Sequence, residues 1–387
     1  MITGSSNWPG LPLRRGGLAR WGYLALASGS LACGADPKGA AAGAAGADAT
    51  GGTEVGSAGA ADAAGTANGG NAGGGAAGGA GEGALQPHAL ASTSYGNCAL
   101  GAEGHVHCWG AAPGEWTVPD GAFVEIVGGA NNVCAIRADR SFVCFTEPVG
   151  MPSPLDYAPT TMAREVAVYQ LAICALEANG SAKCGQSPAS AVDVSPPEGL
   201  QLEHISAGAY FACGLLAVDG SAKCWGSAGD TGASCPAGQL DAPKGTFKAI
   251  ASGGLSSCAI DQEGALACWG AGKPGDDPAA TCKDVELNFG QSAPPKGSFK
   301  TVSVGVRHAC GVKSDGSVAC WGAGTADVCT IDTNYDCRQS RPPAGKFEQV
   351  TVGLNHSCAI TADRKVQCWG YNGSPVDGRT MPPAVFQ

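Results

Sequence analysis

The stretch Cys258–Gly270 reads CAIDQEGALACWG, and it returns as CGVKSDGSVACWG at 310–322 and as CAITADRKVQCWG at 358–370. Each copy sets two cysteines ten residues apart around a turn and follows the second with Trp-Gly. The same spacing pairs Cys98 with Cys108, Cys134 with Cys144, Cys174 with Cys184, Cys258 with Cys268, Cys310 with Cys320 and Cys358 with Cys368. Cys213 and Cys224, eleven apart, complete seven repeats.

The centre of each frame is an acidic residue or Asn, usually followed by Gly, as at Glu103-Gly104, Asn179-Gly180, Glu263-Gly264 and Asp315-Gly316. That is the signature of a three-residue hairpin loop ending in the left-handed region, where Gly carries no side-chain penalty. With the loop at 262–264, Asp261 faces Ala265, Ile260 faces Leu266, and Cys258 falls opposite Cys268. If the loop-flanking pair is hydrogen-bonded, the cysteine pair is a non-hydrogen-bonded one, the closest approach in an antiparallel ladder. Each repeat is therefore expected to be a hairpin stapled by a disulfide. The extra residue of the fourth repeat fits a four-residue loop, Ala217–Gly220, while Arg140 and Arg364 stand where Gly is expected, at a small local cost. Zinc sites want cysteines two to four apart in two such pairs, a spacing these frames lack.

Upstream of the hairpins lies a second frame: PDGAFVEIVGG (119–129), PKGTFKAIASGG (243–254), PKGSFKTVSVG (295–305) and PAGKFEQVTVG (343–353). All carry an aromatic eleven before the first cysteine, a β-branched residue eight before it and Gly five before it. This is strand chemistry entered from a Pro-Gly turn and ended at a Gly bend. Residues 86–387 thus divide into small antiparallel sheets of about 43 residues each, the size of a propeller blade. The C-terminal MPPAVFQ (381–387) matches the opening of this frame and stops just after Phe386, whereas the first repeat has Pro87 at the aromatic position. A ring closes with that half-strand and sheds its exposed edges; a linear stack gains nothing from it. The expected fold is an all-β, seven-bladed β-propeller with one intra-blade disulfide per repeat, closed by pairing of a C-terminal strand with the first blade. A cysteine and the residue after it point to opposite faces of a strand. The disulfides and Trp109, Trp225, Trp269, Trp321 and Trp369 are therefore expected to fill the gaps between blades, as architecture and not as a ligand cage.

A net charge of −10 with no cluster of Lys and Arg argues against a nucleic-acid partner. No apolar run reaches the ~20 residues of a spanning helix. Nineteen cysteines are a framework in an oxidising compartment. Arg14, Arg15 and Arg20 precede WGYLALASGSLA (21–32), a short apolar segment ending in small residues before Cys33, which is signal-peptide architecture. It resembles a bacterial lipoprotein signal, in which Cys33 becomes the lipidated N-terminus, although Leu31 stands two and not three before the cysteine. Ordinary cleavage at the same bond is the alternative. Gly and Ala then dominate up to residue 85, a composition that supports only a flexible tether. The expected organisation is 1–32 signal peptide, 33–85 tether and 86–387 propeller. The expected location is extracytoplasmic, in a bacterial cell envelope as an outer-membrane lipoprotein or else secreted, with membrane contact through a lipid anchor only.

The pattern strand–Gly–x–x–His–x–Cys-Ala-Leu/Ile–turn–Asp-Gly–x–Val–x–Cys-Trp-Gly resembles the repeats of the regulator-of-chromosome-condensation propellers, specifically their cysteine-rich, secreted bacterial relatives. The resemblance covers all seven repeats, with Phe145 and Gly185 replacing Trp in the second and third. Remnants of the family's Gly-Gln-Leu follow as Gly238-Gln239-Leu240 and Gly290-Gln291. It implies a propeller and a binding surface; the eukaryotic activity, nucleotide exchange on a nuclear GTPase, does not carry over to an exported chain. His308 and His356 stand at the family's turn histidine, a structural position.

Little else suggests chemistry. His105 and His107 flank Val106, a weak metal hint, and Asp332-Thr-Asn334-Tyr-Asp336 starts like a calcium loop but has Cys337 where Gly is needed and no Glu at the twelfth position. No nucleophile elbow, phosphate-cradling loop or catalytic pair is present. The chain is expected to be no enzyme and to hold no metal or cofactor. The connections after Trp-Gly lengthen in repeats four to six: SAGDTGASCPAGQL, AGKPGDDPAATCKDVELNFGQS and AGTADVCTIDTNYDCRQS. All leave from one equivalent point and so share one face. They carry Cys235, Cys282, Cys329 and Cys337, for which Cys329–Cys337 and Cys235–Cys282 are the favoured pairings among three. The function expected is a tethered module binding a protein or glycan partner through these loops. A passive surface spacer, or an extracytoplasmic glycan-active enzyme using Asp276-Asp277, are the alternatives.

Overall fold

The computed structural model describes residues 86–110, 115–148, 158, 162–170, 172–186, 192–227, 237–273, 289–325, 337–371 and 378–387. They form seven three-stranded antiparallel sheets. The first blade has an inner strand β1 (Pro87–Ser92), a middle strand β2 (Gly96–Gly101) and an outer strand β3 (Val106–Gly110). The other blades repeat this order within 125–146, 165–186, 202–226, 247–270, 299–322 and 347–370. Each inner strand packs on the inner strand of the next blade, and Phe347–Val352 of the seventh packs on β1, so the seven sheets close into a ring.

The hairpins take the expected register. Cys258 sits opposite Cys268 and Ile260 opposite Leu266. The Asp261 N–H donates to the Ala265 carbonyl at 3.0 Å, so the loop-flanking pair is bonded and the cysteine pair is not. Gly264 turns the loop at φ 91°. The longer fourth loop closes from Gly220 N–H to the Leu216 carbonyl at 2.8 Å. Arg140 and Arg364 take the left-handed conformation at φ 69° and 61° in place of Gly. All seven hairpin disulfides are formed.

Strand alternation then organises the core. Seven apolar clusters each straddle one junction between blades. In five of them a cystine of one blade meets the Trp of the next: Cys174 with Trp225, Cys213 with Trp269, Cys258 with Trp321, Cys310 with Trp369 and Cys358 with Trp109. Where blade two has Phe145, Trp116 from the preceding connection stands edge-on to it at 6.1 Å. At two of the positions five before the first cysteine, Gly is required by close approach. A Cβ on Gly129 or Gly253 would lie 2.0 Å from the carbonyl oxygen of Val168 or Val304 in the following blade. Side-chain hydroxyls bridge neighbouring inner strands at the same level, Ser206 accepting from Ser252 N–H (2.8 Å), Ser303 from Val352 N–H (3.2 Å) and Thr351 from Ser92 N–H (3.1 Å).

Ring closure differs from the expectation in one respect. The C-terminus is not a strand paired with the first blade: Ala384–Phe386 forms a single 3-10 turn, and the first sheet consists of β1, β2 and β3 alone. Pro87 already begins a full inner strand that pairs with β2, so only the aromatic side chain was missing. Phe386 supplies it. Its ring lies 6.3 Å from Trp109, matching the 6.2 Å between Phe299 and Trp321 in blade six. The junction is further held by Gln349, which accepts from Leu90 N–H at 2.9 Å and donates to the Leu90 carbonyl at 3.1 Å.

Candidate recognition face

The outer strands end at Gly270, Gly322 and Gly370, opposite Ser256, His308 and His356, the first residues of the middle strands. The connections that follow Trp-Gly therefore emerge on the face that carries the inner-to-middle turns. Their bases are pinned. The Ser292 N–H donates to the Gly272 carbonyl and the Ser340 N–H to the Gly324 carbonyl, each at 3.2 Å, which ties each loop's return to its departure. After blade four, Gln239 Nε2 donates to the Ser227 carbonyl at 3.2 Å.

The tryptophans complete these bases. Indole N–H groups donate to the carbonyls of Gln239 (Trp269, 3.1 Å), Gln291 (Trp321, 2.8 Å) and Gln339 (Trp369, 2.9 Å). Each Gln then folds its side-chain carbonyl back onto the N–H two residues earlier, Ala237, Phe289 or Cys337. One Trp-Gly element thus fills a blade junction with its ring and fixes a loop base with its N–H. At the 7–1 junction the Arg379 carbonyl takes the same place, accepting from Trp109 Nε1 at 3.3 Å and Asn97 Nδ2 at 2.8 Å.

The turns on this face bring together residues for which the repeat frame has no rule. The Arg379 guanidinium lies between the rings of Tyr95 (5.2 Å) and Tyr371 (5.4 Å). The Arg307 guanidinium lies over Phe289 at 6.0 Å and donates to Asn355 Oδ1 at 3.2 Å. Glu147 is buried beneath the same face, accepting from Tyr95 N–H (2.8 Å), Asn131 Nδ2 (2.7 Å) and the Thr93 hydroxyl. Burial holds its carboxyl above the usual range against those hydrogen bonds.

Other side chains singled out from the sequence fall as follows. His308 and His356 are fully buried at junctions, with Nε2 2.8 Å from Ser357 Oγ and 2.9 Å from Asn97 Oδ1 respectively. Burial, with Arg307 in second place, pushes the His308 imidazole down to about 3, and burial with Arg379 pushes His356 well down, so both are neutral. His105 is exposed, while His107 faces Glu103 at 3.1 Å and the edge of Phe386; among the described residues no group of three His, Cys, Asp or Glu is placed to hold a metal. Cys337 is buried and disulfide-bonded. Its partner lies outside the described residues, as do Cys33, Cys235, Cys282, Cys329, Asp276, Asp277, Asp332, Asn334 and Asp336.

One wall of the ring was not anticipated from the repeat. On the inner strands Glu125, Glu165 and His204 occupy equivalent positions of blades two, three and four, nine before the first cysteine. Glu165 accepts from Ile205 N–H and faces His204 Nδ1, both at 3.2 Å. Burial first, and the neighbouring Glu165 second, push the Glu125 carboxyl up to about 8 despite Arg140. Charged letters at positions that hold Ala89, Ala249 and Thr301 elsewhere were the available signal.

The family model of the Regulator of chromosome condensation (RCC1) repeat matches residues 299–326 and 347–374, which are blades six and seven. Among solved structures, the ectodomain of the Physcomitrella patens receptor kinase CR4 is similar over 74% of this chain and 73% of its own, at 22% identity and TM-score 0.53. The CRINKLY ectodomain of the Arabidopsis thaliana receptor kinase ACR4 is similar over 73% of this chain and 93% of its own, at 22% identity and TM-score 0.51. The described residues thus form a β-propeller of seven blades with one cystine each, of which the sixth and seventh are similar to the regulator-of-chromosome-condensation repeat.

Proposed function

We propose that the propeller is an extracytoplasmic binding module that takes a protein or glycan partner on the face of the pinned loops. The observation that carries the reading is the set of clipped loop bases after blades four, five and six, each locked to the junction Trp of the next blade. A rigid scaffold presenting loops from fixed points suits recognition, since the loops reach the partner with little framework left to order. Seven disulfides support an oxidising compartment, and a membrane tether through Cys33 would hold the ring at a surface. Nothing in the described face assembles a nucleophile with a base, which favours binding over catalysis.

The test is cross-linking on intact cells, with complexes read by mass spectrometry. A variant replacing only 274–288 by a short Gly-Ser linker keeps Gly272, Gln291 and Ser292, and with them the loop base. The expected result is one partner cross-linked from 227–242, 271–293 or 323–341 and lost in the variant while its melting temperature holds. Cross-links spread evenly around the ring, or capture unchanged in the folded variant, would favour a surface spacer.

A further inference from the structure

We propose that Asn179, at the tip of the third blade's hairpin, is an N-glycosylation site that takes a glycan on its side-chain nitrogen from a lipid-linked sugar pyrophosphate. The loop reads Asn179-Gly180-Ser181, the Asn-x-Ser acceptor triplet with a residue other than Pro in the middle. Asn179 is exposed, and its Oδ1 accepts from the Ser181 N–H at 2.9 Å and from the Ser181 hydroxyl at 2.7 Å. Both bonds fall on the oxygen, which leaves the nitrogen that would carry the sugar unengaged. The strands flanking this tip pair from Leu176–Ala182 up to Ala172–Gln186, where the inner-to-middle turn begins. The tip therefore lies at the opposite end of the blade from the pinned loops, and a glycan there leaves the recognition face clear.

The turn itself has no need of an amide. The same place in the other hairpins holds an acid: Glu103, Asp139, Asp219, Glu263, Asp315 and Asp363. Asp139, Asp219 and Asp315 make the same two bonds, to the N–H and hydroxyl of Ser141, Ser221 and Ser317. Those serines hold the three carboxyls below the usual range, so a carboxylate is the better acceptor in this turn. Asn179 forgoes that gain, and what it adds is a carboxamide nitrogen two residues before a hydroxyl. A second triplet, Asn355-His356-Ser357, is built into a blade junction, with Asn355 7% exposed and both following residues fully buried. A glycan on Asn355 would keep that junction from closing. The third, Asn372-Gly373-Ser374, lies outside the described residues. In the transfer, Asn179 Nδ2 attacks the anomeric carbon of the donor sugar. The N–C bond forms as the bond from that carbon to the pyrophosphate oxygen breaks, the lipid pyrophosphate leaves with the electron pair, and the amide proton passes to a base of the transferase. The triplet is read on exported chains, in the kind of compartment where the seven hairpin disulfides form.

The test isolates the full chain from its own cells without reductant and reads the tryptic peptides 165–183 and 347–364 by mass spectrometry. The expected result is a glycan on Asn179 in the first peptide and none on Asn355 in the second. Asn179→Asp installs the residue of the other hairpins, keeps the turn, and should remove the glycan completely. Ser181→Ala should remove it as well, with the loop still closed from Gly180 N–H to the Glu177 carbonyl, while Ser181→Thr should keep it. A first peptide found only unmodified, native Asn179 converted to Asp with no glycan, or a glycan that survives Ser181→Ala would overturn the assignment. Capture of the loop-face partner is unchanged in Asn179→Asp, so the two readings fail separately.

Discussion

Truncating Phe386 to Ala removes the side chain that completes the ring. Phe386 is 1% exposed and belongs to the cluster of Leu90, Trp109, Cys358 and Ile360 at the 7–1 junction. A buried Phe→Ala change costs about 3–5 kcal/mol through lost burial and the cavity left behind. For a domain of this size that lowers the melting temperature by about 6–10 °C. Phe299→Ala is the internal control, because Phe299 meets Trp321 at nearly the same distance within a continuous strand. Urea unfolding followed by tryptophan fluorescence, without reductant, gives both values by linear extrapolation. Losses within about 1 kcal/mol of each other mean that a 3-10 turn closes the ring as well as a strand does. If Phe386→Ala costs less than about 1 kcal/mol while Phe299→Ala costs the full amount, the terminal turn is an ornament and the account of closure is wrong.

His308 and His356 are held neutral by burial, below their unfolded value near 6.5, so the unfolded chain binds the extra protons and stability falls as pH drops through that value. At pH 5 His308, with a folded value of about 3, subtracts about 2 kcal/mol and His356 acts in the same direction; thermal melts from pH 7.5 to 5 should show the decline, and the double variant H308Q/H356Q should flatten it. Glu125 works in the opposite sense. Its folded value near 8 exceeds the unfolded one, so its contribution is full below about pH 4.5 and fades toward pH 8. E125Q should therefore match the native chain at pH 4 and exceed it by about 3 kcal/mol at pH 7; equal melts at both pH values would show that the carboxyl is not burdened by burial. Replacing Cys310 and Cys320 by Ser opens one closed loop and should cost about 2–3 kcal/mol, read by the same urea titration. Alkylation of the unfolded native chain before reduction should label none of the fourteen hairpin cysteines.

Local rules made most of the architecture legible. The Cys-to-Cys spacing and the Glu-Gly or Asp-Gly centres set hairpin register, because a three-residue loop leaves one way to pair the flanking strands, and the extra residue before Cys224 announced its own longer loop. Alternation put Cys and Trp on opposite faces, so the meeting of Cys258 with Trp321 across a junction followed once the sheets were stacked in order. What the letters could not determine depends on which side chains from distant repeats share a space. Phe386 reads as a strand residue by its frame, yet β1 was already complete, and only the packed ring shows that an aromatic and no further strand was needed. Tyr169 reads as one more strand aromatic; that it spans from blade three to blade five is a property of the closed circle. Glu125 and Glu165 lie forty residues apart and acquire their mutual repulsion only because equivalent positions of adjacent blades face each other. Spacing along the chain governs each blade, and closure of the ring governs everything between blades.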